Sequence, residues 1–241
     1  MKIESYFKKV FLVMIVVGLF YAGVTSVFGV QGATSISVGQ SSRANFTNYS
    51  SSASTPVQAG NVTELNLSGG AITEHWAGFY GEISGNISLS NSDGDVFYNW
   101  AGLGAPEGEV FASNESSVDW SGVGCAASAE ITGIQNSLGI TGTDPDRIEL
   151  TYPNNNHPAI DIGTVTGITG CNSTNTYVNG APDAASFYQL LLTDTDGTPI
   201  YTTMINDSTV GFDGSTHDFQ LLVGESDAAG TTSLYFYLEL S

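Results

Sequence analysis

Residues 186–193 read Ser-Phe-Tyr-Gln-Leu-Leu-Leu-Thr, residues 194–197 read Asp-Thr-Asp-Gly, and residues 199–205 read Pro-Ile-Tyr-Thr-Thr-Met-Ile. Two runs of aromatic, aliphatic and β-branched side chains flank a short acidic turn that ends in glycine. Such side chains suit a pleated strand, and the Asp-Gly step supplies the positive φ of a tight turn, so the stretch reads as a β-hairpin. The same grammar recurs upstream. Ile83, Gly85, Ile87 and Leu89 alternate along a run that ends at Asn91-Ser-Asp-Gly-Asp95, and Val96-Phe-Tyr-Asn-Trp100 returns directly. Asp218–Val223 and Ser233–Leu240 read as the last two strands, separated by a Gly-rich link. Thr63, Leu65 and Leu67 alternate with polar residues, and Arg147–Tyr152 and Ala159–Thr166 complete the strand candidates. After residue 32 no dozen-residue window carries a 3.6-residue apolar period, and glycine occurs 29 times. The pattern predicts an all-β protein, an Ig-like or jelly-roll-type β-sandwich of about eight to ten strands, preceded by an N-terminal leader helix. Its aromatics would fill the core, among them Trp76, Phe79, Tyr80, Phe97, Trp100, Phe187, Tyr188, Phe219, Tyr235, Phe236 and Tyr237. The competing use of such rings is a sugar-stacking platform, which needs two or three of them exposed on one face.

The charge pattern says where such a domain works. The chain carries 24 acidic against 5 basic residues, for a net charge of -19. Lys2, Lys8 and Lys9 stand before an apolar run from Val10 to Val30, the layout of a secretory leader. The run is long enough to span a bilayer, so residues 1–32 are expected to be a signal peptide or a retained membrane anchor. Cleavage after Val30-Gln-Gly32 would free Ala33, and Val27-Phe-Gly29 offers a second site. A pilin-type leader, cut near Lys9, would want Gly or Ala where Val10 stands. Removing residues 1–32 leaves only Arg43 and Arg147 as basic side chains. Such a surface repels phosphates, which excludes nucleic acid as a partner.

Eight Asn-x-Ser/Thr acceptors for N-linked glycans follow the leader, at Asn45, Asn48, Asn61, Asn66, Asn86, Asn114, Asn172 and Asn206. Cys125 and Cys171 are the two cysteines; in an oxidising compartment an even count outside any Cys-x-x-Cys pair predicts one disulfide. Residues 33–40, Ala-Thr-Ser-Ile-Ser-Val-Gly-Gln, alternate Ile36 and Val38 with serines, and residues 41–60 have the Ser-rich composition of a linker. The expected organisation is therefore a leader (1–32), a strand with its linker (33–60) and a β domain (61–241).

Catalytic signatures are missing from the sequence. It has no Gly-x-Ser-x-Gly elbow, no His-Glu-x-x-His and no phosphate loop. His75, His157 and His217 lie far apart and lack ligand spacing. Neither cysteine has a cationic neighbour to make it a nucleophile. Paired carboxylates for glycoside hydrolysis are numerous, with none singled out. Asp93-Gly-Asp95, Asp144-Pro-Asp146 and Asp194-Thr-Asp-Gly197 invite a structural Ca²⁺, with Asp93, Asp95, Asp194 and Asp196 as its ligands, although Asp and Gly are also the ordinary residues of β-turns.

The segment from Trp76-Ala-Gly-Phe-Tyr-Gly-Glu-Ile through Asp93-Gly-Asp-Val-Phe-Tyr-Asn-Trp100, with the terminal runs Asp218–Val223 and Leu234–Leu240, resembles a block found in small secreted surface proteins of archaea. The sequon-rich, lysine-poor composition also resembles archaeal pilus and filament subunits that polymerise by donating an N-terminal strand. These resemblances imply an exported β-protein and supply no catalytic residues. The expected function is a non-enzymatic extracellular structural glycoprotein, a subunit of a pilus or surface layer that self-associates when Ile36 and Val38 enter a neighbour. The alternative is a glycan-binding, adhesive β-module, with Ca²⁺ as a possible bridge; a secreted hydrolase comes third.

Overall fold

The computed structural model describes residues 56, 58–60, 62, 64, 72–85, 87–100, 104–226 and 233–240. The expected leader, the strand carrying Ile36 and Val38, the linker to residue 55, the run of Thr63, Leu65 and Leu67, and the acceptors Asn45, Asn48, Asn61, Asn66 and Asn86 lie outside the described residues. Among those described, no helix is long and apolar enough to cross a membrane.

The chain is mostly β, arranged in several sheets with few helices. Its strands are β1 (Trp76–Gly81), β2 (Ile87–Ser90), β3 (Val96–Trp100), β4 (Gly108–Ser113) and β5 (Gly124–Cys125). Two helices follow, α1 (Ser128–Leu138) and the single turn α2 (Ile148–Thr151). Then come β6 (Ile160–Ile162), β7 (Val165–Ile168), β8 (Ser173–Asn175), β9 (Tyr188–Thr193) and β10 (Pro199–Met204). The last are β11 (Thr209–Val210), β12 (Thr216–His217), β13 (Phe219–Gly224) and β14 (Tyr235–Leu240).

Antiparallel pairing places β14, β4, β10, β9 and β5 side by side in the main sheet, with β8 also paired to β9. Along β9 every residue from Gln189 to Thr193 is buried, as is every residue of β10 from Ile200 to Thr203. Strands read this way when both faces of their sheet are covered. Alternation assigns the faces. Val110, Ala112, Leu191 and Tyr201 pack with Leu221 and Val223 of β13, Ile131 and Ile134 of α1, and Ile148 of α2. Phe111, Leu190, Leu192 and Ile200 face the other way, onto Ile160 and Ile162 of β6 and Ile168 of β7. The β1–β13 ribbon and the two helices thus cover one face, and the β6–β7 hairpin covers the other. Each fully buried leucine contributes about 2 kcal/mol of hydrophobic stabilisation.

Both Asp-Gly turns form and use the same device. Between β9 and β10, Asp194 Oδ1 accepts the N–H groups of Asp196 (3.0 Å) and Thr198 (2.9 Å), and Gly197 takes φ +80°. Between β2 and β3, Asn91 Oδ1 accepts from Asp93 (3.0 Å) and Asp95 (2.8 Å), and Gly94 takes φ +86°.

Several expectations are corrected. Arg147–Tyr152 is a helical turn: Ile148 and Tyr152, four apart, are both buried, whereas Leu150 between them is exposed. Ala159–Thr166 is split at Gly163 into β6 and the start of β7. An 11-residue helix, α1, occupies a region read as helix-free. It buries Ile131 and Ile134, its Glu130 carboxylate accepts the Ala127 N–H at 2.6 Å, and it ends at Gly139 with φ 78°. The interior strand β4 has no counterpart among the strand candidates. Of the rings assigned to the core, Phe187 is fully buried, but Tyr80, Phe97, Trp100 and Tyr235 are exposed; Phe111, Tyr152 and Tyr201 occupy the core with it.

Buried glutamines stitch the layers together. Gln189 Oε1 accepts the Leu222 N–H (2.8 Å), and its Nε2 donates to Gln220 O (2.6 Å) and Thr203 Oγ1 (3.0 Å). One side-chain amide therefore serves β13 as a neighbouring strand would, leaving its buried backbone groups paired. Gln189→Leu keeps the volume but orphans the Leu222 N–H and the Gln220 carbonyl. A loss of about 3 kcal/mol in urea unfolding is expected; a change below about 0.5 kcal/mol would show that the bridge contributes nothing beyond its packing.

Candidate functional site at an open sheet edge

The two margins of the main sheet are built differently. On one side β9 is flanked by two very short strands set end to end, β5 against Leu192 and Thr193, and β8 against Tyr188 to Leu190. Cys125 in β5 and Cys171 just before β8 are joined in a disulfide, with Cα atoms 4.8 Å apart. Ser173 of β8 exchanges backbone hydrogen bonds with Asn154 at 2.8 and 3.1 Å, which closes that margin further. Short strands, a covalent tie and a covering segment are ways of blunting an edge.

The opposite margin is β14. Its six residues, Tyr-Phe-Tyr-Leu-Glu-Leu, pair with β4, and among the described residues they pair with no other strand. No proline interrupts it and Glu239 is its one charge. Phe236 and Leu238, with Leu234 before them, border the cluster beneath β13 and are half-buried there. Tyr237 borders the opposite cluster, where its ring meets Trp120 and its hydroxyl donates to Glu115 O at 2.8 Å. Phe79 of β1 reaches Phe236 across the seam between the ribbon and the main sheet, centroids 5.0 Å apart. Among the described residues the edge is thus six residues long, bordered by an apolar cluster on each face and unpaired, the combination that favours addition of a further strand.

A second exposed feature is the β2–β3 hairpin, which pairs with no other sheet among the described residues. Every residue of β3 is exposed: Phe97 at 84%, Tyr98 at 55% and Trp100 at 50%. Tyr98 and Trp100 share a face, ring centroids 4.8 Å apart, and Leu89 lies opposite Tyr98.

Carboxylates gather at the base of the open edge. Glu109 on β4 stands opposite Glu239 on β14 and is only 7% exposed. Burial, then the negative charges of Glu239 and Asp161, push its pKa up to about 7. The Glu239 carboxylate accepts the Gly163 N–H at 2.9 and 3.2 Å, tying β14 to the β6–β7 turn.

The proposed calcium ligands sit in separate turns, Asp93 and Asp95 beyond β2, and Asp194 and Asp196 beyond β9. Asp194 is buried and already accepts three backbone N–H groups, from Asp119, Asp196 and Thr198. Among the described residues no three His, Cys, Asp or Glu side chains form a metal-ligating group. Each histidine has partners of its own. His75 Nδ1 lies 3.3 Å from Asp146, whose carboxyl is held below its ordinary range chiefly by the Thr73 hydroxyl and then by His75. His157 accepts the Cys171 N–H at 3.0 Å, and His217 meets Asp213 at 3.0 Å beside the contacting rings of Tyr80 and Phe212.

Three glycan acceptors lie among the described residues. Asn114 is exposed, whereas Asn172 and Asn206 are half-buried, with Nδ2 donating to Tyr152 O (3.4 Å) and Ser186 O (2.8 Å). Comparison with protein-family models, with curated proteins and with solved structures yields no match. If glycans are added to the folded chain, glycopeptide mass spectrometry of native material finds Asn114 modified and Asn172 and Asn206 bare. Equal occupancy at all three would place modification before folding.

Proposed function

We propose that this chain is a non-enzymatic, extracellular structural glycoprotein, a subunit of a filament or surface layer assembled by strand donation, akin to secreted archaeal surface proteins. The observation that carries the reading is β14, a six-residue apolar edge on a sheet whose other margin is blunted and disulfide-tied. An Ig-like or jelly-roll sandwich with one open edge is the form of fold such assembly needs. Residues 33–40 of a second copy are the proposed occupant: their Ile36 and Val38 alternate as a strand does, and the stretch to residue 60 supplies a tether. Laid along β14, they would add main-chain hydrogen bonds and cover Phe236 and Leu238. A donor and an acceptor on different parts of one chain join copies head to tail, a contact that propagates as a fibre.

Deletion of residues 33–40 tests this directly. Electron microscopy of the variant should show folded monomer and no polymer, because the residues that form the main sheet are untouched. Polymers of normal length and order would sink the proposal.

The β2–β3 hairpin favours a second reading, a glycan-binding module, since Tyr98 and Trp100, exposed on one face with centroids 4.8 Å apart, offer rings on which neutral sugars stack. On glycan arrays run with and without Ca²⁺, Trp100→Ala together with Tyr98→Ala, the two rings that share a face, is expected to weaken binding roughly tenfold. A wild-type protein that retains no glycan under either condition eliminates this reading.

A further inference from the structure

We propose that Glu109 and Glu239, directly opposed across β4 and β14, form a proton-operated latch on the open edge: β14 is held to β4 while Glu109 carries a proton and loosens when the proton leaves. The inference rests on the reading of β14 as the assembly edge and concerns how that edge is regulated.

Three features of geometry make the pair a latch. Residues directly opposite on antiparallel strands bring their side chains within reach of one another, and like charges in that position are destabilising. Glu239 cannot turn away to solvent without breaking its two contacts with the Gly163 N–H, so its carboxylate is fixed beside Glu109. The backbones are also in close approach here: Gly108, at φ +125°, leaves room where a Cβ would stand 2.2 Å from Glu239 O. Around Glu109, β14 presents Glu239, the β6–β7 hairpin presents Asp161, and β10 presents the uncharged Met204 in register. Both charged groups acting on Glu109 are therefore negative, and no cation among the causes of its shift offsets them.

The sign follows from linkage. Below an ordinary glutamate pKa of 4.5, Glu109 is protonated whether β14 is docked or not. Between that value and about 7 the docked strand keeps the proton that the undocked one has lost, so docking weakens steadily with rising pH. Above about 7 both forms are ionised, and attachment stays at its weakest. An assembly edge controlled in this way is firm in acidic surroundings and labile in alkaline ones.

Native-state hydrogen exchange on the full chain, dilute enough to be monomeric, tests the latch without a partner strand. In the wild type, protection factors of the Tyr235–Leu240 amides, corrected for intrinsic exchange, should fall about tenfold to a hundredfold from pH 5 to pH 8. Those of α1 should stay level. Glu109→Gln should keep β14 protected at both pH values, and Glu239→Gln, a second variant should the first fail to fold, should shrink the pH dependence. Protection that is flat in the wild type, or that falls equally in the Gln variants, overturns the latch. Since no donor strand takes part, either result leaves the test by deletion of residues 33–40 standing on its own.

Discussion

Leu190, Leu191 and Leu192 in β9 point alternately to two different hydrophobic clusters, and all three are fully buried. The layers packed on the main sheet follow from the need to cover both faces of that strand and of its neighbour β10. One face receives the β1–β13 ribbon with α1 and α2, the other the β6–β7 hairpin. Because the covering layers are short, their backbone groups need partners beyond ordinary ladders, and buried side-chain amides provide them. Gln189 pairs with β13, Gln220 Oε1 accepts the Phe212 N–H at 2.8 Å, and Gln135 Oε1 accepts the Ile148 N–H at 3.1 Å. A buried polar atom costs little once it is bonded and much when it is not, so these glutamines fix where each layer sits.

With its faces covered, the main sheet meets its surroundings at its edges. The margin formed by β5 and β8 is short and tied by Cys125–Cys171, whereas β14 is long, apolar and bordered by half-buried Phe236 and Leu238. The contrast within one sheet is informative because the chain blunts one edge, whereas the other is unpaired among the described residues. The carboxylate pair at the base of that open edge is likewise placed where it bears on strand docking and on nothing in the opposite margin. In the proposed account, edge and pair make an assembly surface whose strength depends on proton concentration.

Much of this was legible in the residues. The two Asp-Gly hairpins, the last two strands and the disulfide partners could be read because turn chemistry and strand patterning are local, although β13 pairs with β1 and β14 with β4. What could not be read depends on tertiary context. β4 carries a glutamate at its second position, which looks like a surface residue until β14 and the β6–β7 hairpin close over it. In Arg147–Tyr152 the apolar residues Ile148, Leu150 and Tyr152 fit strand alternation, and only the packing of Ile148 and Tyr152 into one cluster, with Leu150 left outside, selects the helix. α1 is short and contains Gly133, so its apolar spacing of Ile131, Ile134 and Leu138 is faint without the sheet it packs against. The aromatic runs gave no warning of which would be core: Phe187 and Phe97 each sit in a strand-like run, yet one is fully buried and the other stands on an outlying hairpin. The open edge was invisible for the same reason, since an edge is a property of pairing.

Cryo-electron microscopy of native surface material containing this chain, at a resolution that traces strands, bears most directly on the central claim. The account predicts an additional strand hydrogen-bonded along Tyr235–Leu240, traceable to residues 33–40 of the adjacent subunit, with Ile36 and Val38 against Phe236 and Leu238. A β14 edge that faces solvent in the assembled material, or that is covered by a segment of its own subunit, would contradict it.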